Sequence, residues 1–229
     1  MVLQRIGLGN WAYCVAQARS MNKGVASGKE VIEDRLERGV NDKEHFERGT
    51  WLAEDSNIVD GRILLARGEF NSLIPYAEQV VKAQRTGEFY LTDEIVRGKR
   101  PFTQVLKQIA EKDARKPLEK RRVLDIEQAK THQVPTDNFA DDPVIRWKAE
   151  SPKLANRYGL FLRNKLPENL RLLEVTVYLP GIIGKDYARG HWLGRLGRGG
   201  GSFFGCDYWD LGDDGGSVFW GSVKSAEGT

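Results

Sequence analysis

Fourteen of the chain's twenty-five glycines fall between Gly181 and Gly228, at the end of a 229-residue sequence. Glycine at that density rules out a long helix, because each internal glycine costs about 1 kcal/mol relative to alanine. It suits tight corners, where the backbone must turn sharply or approach another group closely. Between the glycines lie the aromatic pairs His191-Trp192, Phe203-Phe204, Tyr208-Trp209 and Phe219-Trp220. A basic stretch (Lys185, Arg189, Arg195, Arg198) precedes an acidic one (Asp207, Asp210, Asp213, Asp214). The segment therefore reads as short strands near 189–196, 202–210 and 217–223, with Asp214-Gly215 turning between the last two.

A strand with period two leads into this tail. Leu173, Val175, Val177 and Leu179 alternate with Glu174, Thr176 and Tyr178, the pattern of a half-buried strand. Upstream, the helical period dominates. Short helices are expected at Trp11–Arg19 and within 29–48, where Val31, Ile32, Leu36 and Val40 give a narrow apolar stripe interrupted by Gly39. Further helices are expected from Ser72 to Thr86 and across Phe102, Val105, Leu106, Ile109 and Ala110. Asp125 can cap a shorter one through Lys130. Asp142-Pro143 and Ser151-Pro152 each place a capping side chain before a proline at the first helical position, predicting helices over 143–149 and 152–164. Only the run around Ile58 to Ala66 reads as strand in this part. The expectation is an α+β fold: a mostly helical N-terminal two-thirds (1–166) followed by a small antiparallel sheet (167–229). That sheet can join the same domain by pairing with the strand near residue 63.

Composition sets outer limits. With 40% apolar and 29% charged residues the chain has the makeup of a globular protein. A net charge of +3 is too small to imply a polyanionic partner by itself, so local clustering must carry that reading. Cys14 and Cys206 have no CxxC spacing and too few companions for a zinc site or a disulfide scaffold, which favours a reducing, cytoplasmic setting. No targeting segment is apparent, and no apolar run approaches the roughly 20 residues of a membrane span. No cofactor motif is present. Arg195-Leu-Gly-Arg-Gly-Gly-Gly-Ser202 lacks the closing Gly-Lys-Ser/Thr and the following helix of a phosphate loop.

Two stretches carry candidate binding chemistry. Between Arg97 and Arg122 ten cations (including Arg97, Lys99, Arg100, Lys120, Arg121 and Arg122) stand against three acids, bracketing the amphipathic helix. Such clusters hold phosphates and release counterions. In the tail, Arg195 and Arg198 can meet phosphates while Trp192 and Tyr208 stack on bases, as single-strand readers do. The plainer alternatives are a solvated helix face and aromatics that serve as the core of a small sheet. Asp207, Asp210 and Asp213 are weak candidates for a hard divalent cation, since their spacing does not follow a calcium loop. No serine elbow or zinc-protease helix occurs, and a His191–Cys206 nucleophile pair depends on the fold bringing the two together. The expected function is a non-catalytic binding or assembly protein that contacts nucleic acid or a nucleoprotein complex. Alternatives are a metal-dependent phosphoryl-transfer or hydrolytic enzyme using the aspartates, and a structural subunit whose partner is protein or a second copy of the chain.

Overall fold

A computed structural model describes residues 3–8, 11–39, 42, 49–59, 62–67, 121–125, 129–177, 187–194, 203–206 and 218–223. The expected helices over 72–86 and across Phe102 to Ala110, most of the segment after Asp125, and Asp214-Gly215 lie outside these residues. Strands occur at both ends of the chain: β1 (Gln4–Leu8), β2 (Lys23–Val25), β3 (Thr50–Val59), β4 (Arg62–Arg67), β5 (Arg121–Leu124), β6 (His132–Pro135), β7 (Leu172–Thr176), β8 (Tyr187–Leu193), β9 (Phe203–Cys206) and β10 (Val218–Val223). The expectation of a helical N-terminal two-thirds followed by a C-terminal sheet is thereby overturned. Two causes stand out. Residues 50–67 form a hairpin of two strands, with only Asp60-Gly61 between them, and β1 and β2 are too short to show alternation.

β3 is the centre of the sheet. One edge takes β8 in antiparallel register from Thr50↔Leu193 to Ile58↔Tyr187. The other edge takes β10, parallel, at Thr50↔Val218, and then β4 from Glu54↔Arg67 to Val59↔Arg62. β10 in turn pairs with β1 and β2, so the C-terminal strand lies between N-terminal ones. On the far side the order runs β8, β9, β7, β6. The last two strands, expected as hairpin neighbours, are thus separated by β8 and β3. Trp51 to Ser56 are buried at every position, the signature of a strand covered on both faces rather than one.

Four helices lie among the described residues: α1 (Trp11–Ser20), α2 (Gly28–Arg38), α3 (Pro143–Ala149) and α4 (Pro152–Lys165). Their ends follow local rules. Ser27 and Glu30 form a reciprocal capping box on α2. Asp142 accepts from Val144 N and Ile145 N at the start of α3, and Ser151 accepts from Leu154 N at the start of α4. Val31, Ile32, Val144, Ile145, Trp147, Leu154, Tyr158 and Leu162 share one core with Leu52, Ile63, Leu65, Leu173 and Val175 from the strands and with Val177 just past β7. Leu173, Val175 and Val177 are buried as the alternation predicts, but Thr176, expected on the outer face, is buried as well. The narrow stripe of α2 is widened by charged neighbours. Asp34 accepts from Leu3 N and pairs with Arg38 at 2.7 Å, tying the start of β1 to the helix.

α4 lies so close to the 3₁₀ turn Thr136–Asn138 that a Cβ at Gly159 would collide with the Thr136 carbonyl oxygen. Gly159→Ala is therefore expected to destabilise the protein by about 1–3 kcal/mol in urea unfolding, the range of an overpacked core. A gain of up to about 1 kcal/mol, as at an unhindered helical glycine, would contradict the packing described.

Candidate functional site

The distinctive chemistry of the described residues is gathered where β3 loses its regular pairing. Trp51 pairs with Trp192 and Asp55 with Gly190, so Leu52, Ala53 and Glu54 are set against His191 alone. A bulge of this kind re-aims backbone and side chains, and here it docks the start of α2. Ala53 N donates to Ala26 O at 2.9 Å, and Gly28 N donates to Glu54 Oε1 at 2.7 Å. The first residue of α2 has little room. A Cβ on Gly28 would lie 3.3 Å from Glu54 Oε1 and from both the Cβ and the carbonyl oxygen of Lys148.

Glu54 is fully buried, and its second oxygen has no hydrogen-bond partner among the described residues. Desolvation pushes its carboxyl up to about 7, against the pull of Lys148, Gly28 N and Arg67. Lys148 on α3 is itself buried, and Arg67 is the cross-strand partner of Glu54. The Arg67 guanidinium stands 4.9 Å over the Trp147 ring, donates to Trp147 O at 2.6 Å and lies 3.5 Å from Glu150. Glu150 occupies the left-handed region at φ 56°, a conformation that costs a non-glycine residue energy, and its carboxylate also meets Lys29 at 3.8 Å.

His191 closes the cluster on the β8 side. Its Nε2 is hydrogen-bonded to the Ser56 hydroxyl, diagonally across the β3–β8 ladder, and its ring meets the edge of Trp147. Burial and the nearby Lys148 cation hold it well below its usual range, so it is neutral. Register also sets His191 opposite Cys206 on β9, the pairing on which a nucleophile reading depended. With both Ser56 and His191 sealed from solvent, the Ser–His contact ties β3 to β8. At the end of β8, buried Arg35 on α2 donates to Tyr158 Oη at 3.0 Å and to Gly194 O at 3.3 Å, joining α2, α4 and the strand exit.

Of the residues expected to bind phosphates or bases, Arg121 and Arg122 fall on β5, which among the described residues pairs with β4 alone. Arg122 is half-buried and donates to Pro143 O at 3.4 Å. Trp192 lies in β8 between Trp51 and Gly205. The sheet thus sets the Arg121-Arg122 pair two strands to one side of β3 and β9 two strands to the other. Arg97, Lys99, Arg100, Lys120, Arg195, Arg198, Tyr208, Asp207, Asp210 and Asp213 lie outside the described residues. Among the described residues no three His, Cys, Asp or Glu side chains are placed to hold a metal, and no helix is long and apolar enough to cross a membrane. Glu54, Lys148, Arg67 and Arg35 escape sequence reading because their burial depends on partners from distant parts of the chain.

Away from the bulge, His132 sits between two acceptors. Nδ1 is 2.8 Å from Lys130 O and Nε2 is 2.7 Å from Asp142 Oδ2, the other oxygen of which caps α3. Both ring nitrogens donate only in the imidazolium, and these bonds raise the His132 pKa against partial desolvation.

No protein-family model matches the chain, and no curated protein matches it. A solved structure described as the accommodation of massive sequence variation in Nanoarchaeota by the C-type lectin fold superposes with a TM-score of 0.65 over 96% of each chain at 11% identity. At that identity the likeness is one of fold: this chain has the C-type lectin fold.

Glu54 and His132 both bind protons more tightly when folded than their ordinary values of 4.5 and 6.5 allow. Each contribution is complete below the ordinary value and is lost as pH rises through the folded one, near 7 for Glu54. His191 acts in the opposite sense, losing its contribution as pH falls below 6.5. Glu54→Gln should therefore flatten the fall in melting temperature between about pH 5 and 8. A profile parallel to the wild type across that window would mean that Glu54 is not the proton carrier.

Proposed function

We propose that the protein is a non-catalytic binding protein that recognises its partner with the segments joining β8, β9 and β10. One observation carries this reading. β8 and β10 flank β3 at the centre of the sheet, so the Gly-rich and aromatic segments 195–202 and 207–217 start and end on strands of the sheet. Loops rooted in a fixed sheet are where binding residues concentrate, because their sequence can change without disturbing the core. The C-type lectin likeness supports the same reading, since the solved structure with this fold is described as accommodating massive sequence variation. Arg195, Arg198 and Tyr208 in these segments suit a nucleic acid or nucleoprotein partner.

Protein purified at low salt is expected to carry nucleic acid that a high-salt wash removes, seen in its ultraviolet absorbance ratio. A variant with 207–217 replaced by a Gly/Ser segment of equal length should keep its melting temperature within about 3 °C and come away clean. Nuclease-resistant capture of a protein through the same segment would move the reading to a protein partner. Wild-type protein that purifies clean and monomeric would contradict it.

A further inference from the structure

The outer face of α4 carries four cations, Lys153, Arg157, Arg163 and Lys165, and the helix has no acidic residue along its fourteen positions. All four are exposed, as are Asn156, Leu160 and Asn164. Arg163 meets Asp137 at 3.0 Å. Lys153, Arg157 and Lys165 have no ion-pair partner among the described residues. At 100° per residue, Lys153, Arg157, Leu160 and Asn164 form one stripe, about 16 Å long at 1.5 Å per residue.

This charge placement works against the helix itself. Lys153 stands in the first turn, where the helix dipole favours an acid, and α4 has no acidic residue there. Lys153 and Arg157 are like charges four residues apart, an arrangement that destabilises a helix by a few tenths of a kcal/mol. The same features, a cation at the positive end of a helix followed by further cations and amide donors, suit an external anion. The stripe matches the axial rise of roughly five base pairs at 3.4 Å each, enough to meet more than one phosphate of a strand.

We propose that the exposed face of α4, through Lys153, Arg157 and Asn164, is a docking surface for the phosphodiester backbone of a nucleic acid. It rests on the binding reading above but adds a contact surface on a different element, remote in sequence from the tail. Charge complementarity selects the partner: the stripe offers spaced donors to a linear polyanion, and its one apolar residue, Leu160, is too little for a hydrophobic interface.

The test is fluorescence anisotropy with a labelled, mixed-sequence oligonucleotide, single-stranded and as duplex, across a salt series. Lys153→Glu with Arg157→Glu should weaken binding at least about tenfold and reduce the salt slope by between one and two. The melting temperature should hold or rise, because Lys153→Glu also restores the charge the helix dipole favours. An unchanged affinity and slope would overturn the proposal. So would wild-type protein that does not bind the oligonucleotide, or poly-glutamate that competes as well as nucleic acid. Arg195→Glu with Arg198→Glu, measured alongside, separates the two readings. Binding lost there but kept in the α4 variant leaves the tail reading intact and removes this one.

Discussion

The bulge in β3 is the constraint from which the rest of the arrangement follows. By setting three residues against His191, it turns the Ala53 amide toward Ala26 and the Glu54 carboxylate toward Gly28. α2 is thereby docked by its first residue on the middle of the sheet. A carboxylate at a helix N-terminus is favourable in itself, but full burial would be costly without the nearby cations of Lys148 and Arg67. Those cations bring their own elements with them. Lys148 stands on α3, and Arg67, held over Trp147 and beside Glu150, ties β4 to the end of that helix. A slip of the Arg67 or Gly28 contacts would leave charge buried with still fewer partners, at a cost in free energy.

Around that centre the two ends of the chain are interleaved. β10 stands between β1 and β3, while β8 lies on the other edge of β3 and leads through β9 to β7 and β6. Buried Arg35 adds a second tie at the exit of β8 by gripping Gly194 O while bonded to Tyr158. The glycine-rich tail is therefore built into the sheet. The exit of β8 at Gly194 is held by Arg35, from a helix far away in sequence.

What was legible in the sequence was what depends on neighbours in the chain. Asp142-Pro143 and Ser151-Pro152 marked the starts of α3 and α4 because a cap and a proline act within one turn. Leu173, Val175 and Val177 marked β7 by simple alternation. Pairings that join distant residues left no such trace: nothing in Thr50 points to Val218, and Gln4 to Leu8 shows no period. The two-thirds/one-third division failed for that reason. Asp214-Gly215 suggested a hairpin, but strand order is set by the whole sheet, and β8 and β3 stand between β9 and β10. The site was the least legible part. Glu54 and Lys148 look like surface charges in the sequence, and only the bulge and α3 bring them together. His191, a candidate base for a Cys206 nucleophile, stands opposite Cys206 in register and is a neutral buried link to Ser56.

The tail strands β8, β9 and β10 belong to the same sheet as β3. Native-state hydrogen exchange across residues 50–59, 187–194 and 218–223 tests it most directly. The most protected amides in all three stretches should exchange through one shared global opening, with the same dependence on denaturant. Exchange of β8 and β10 through a separate, low-energy opening that leaves β3 protected would show the tail to be an appendage and contradict the account.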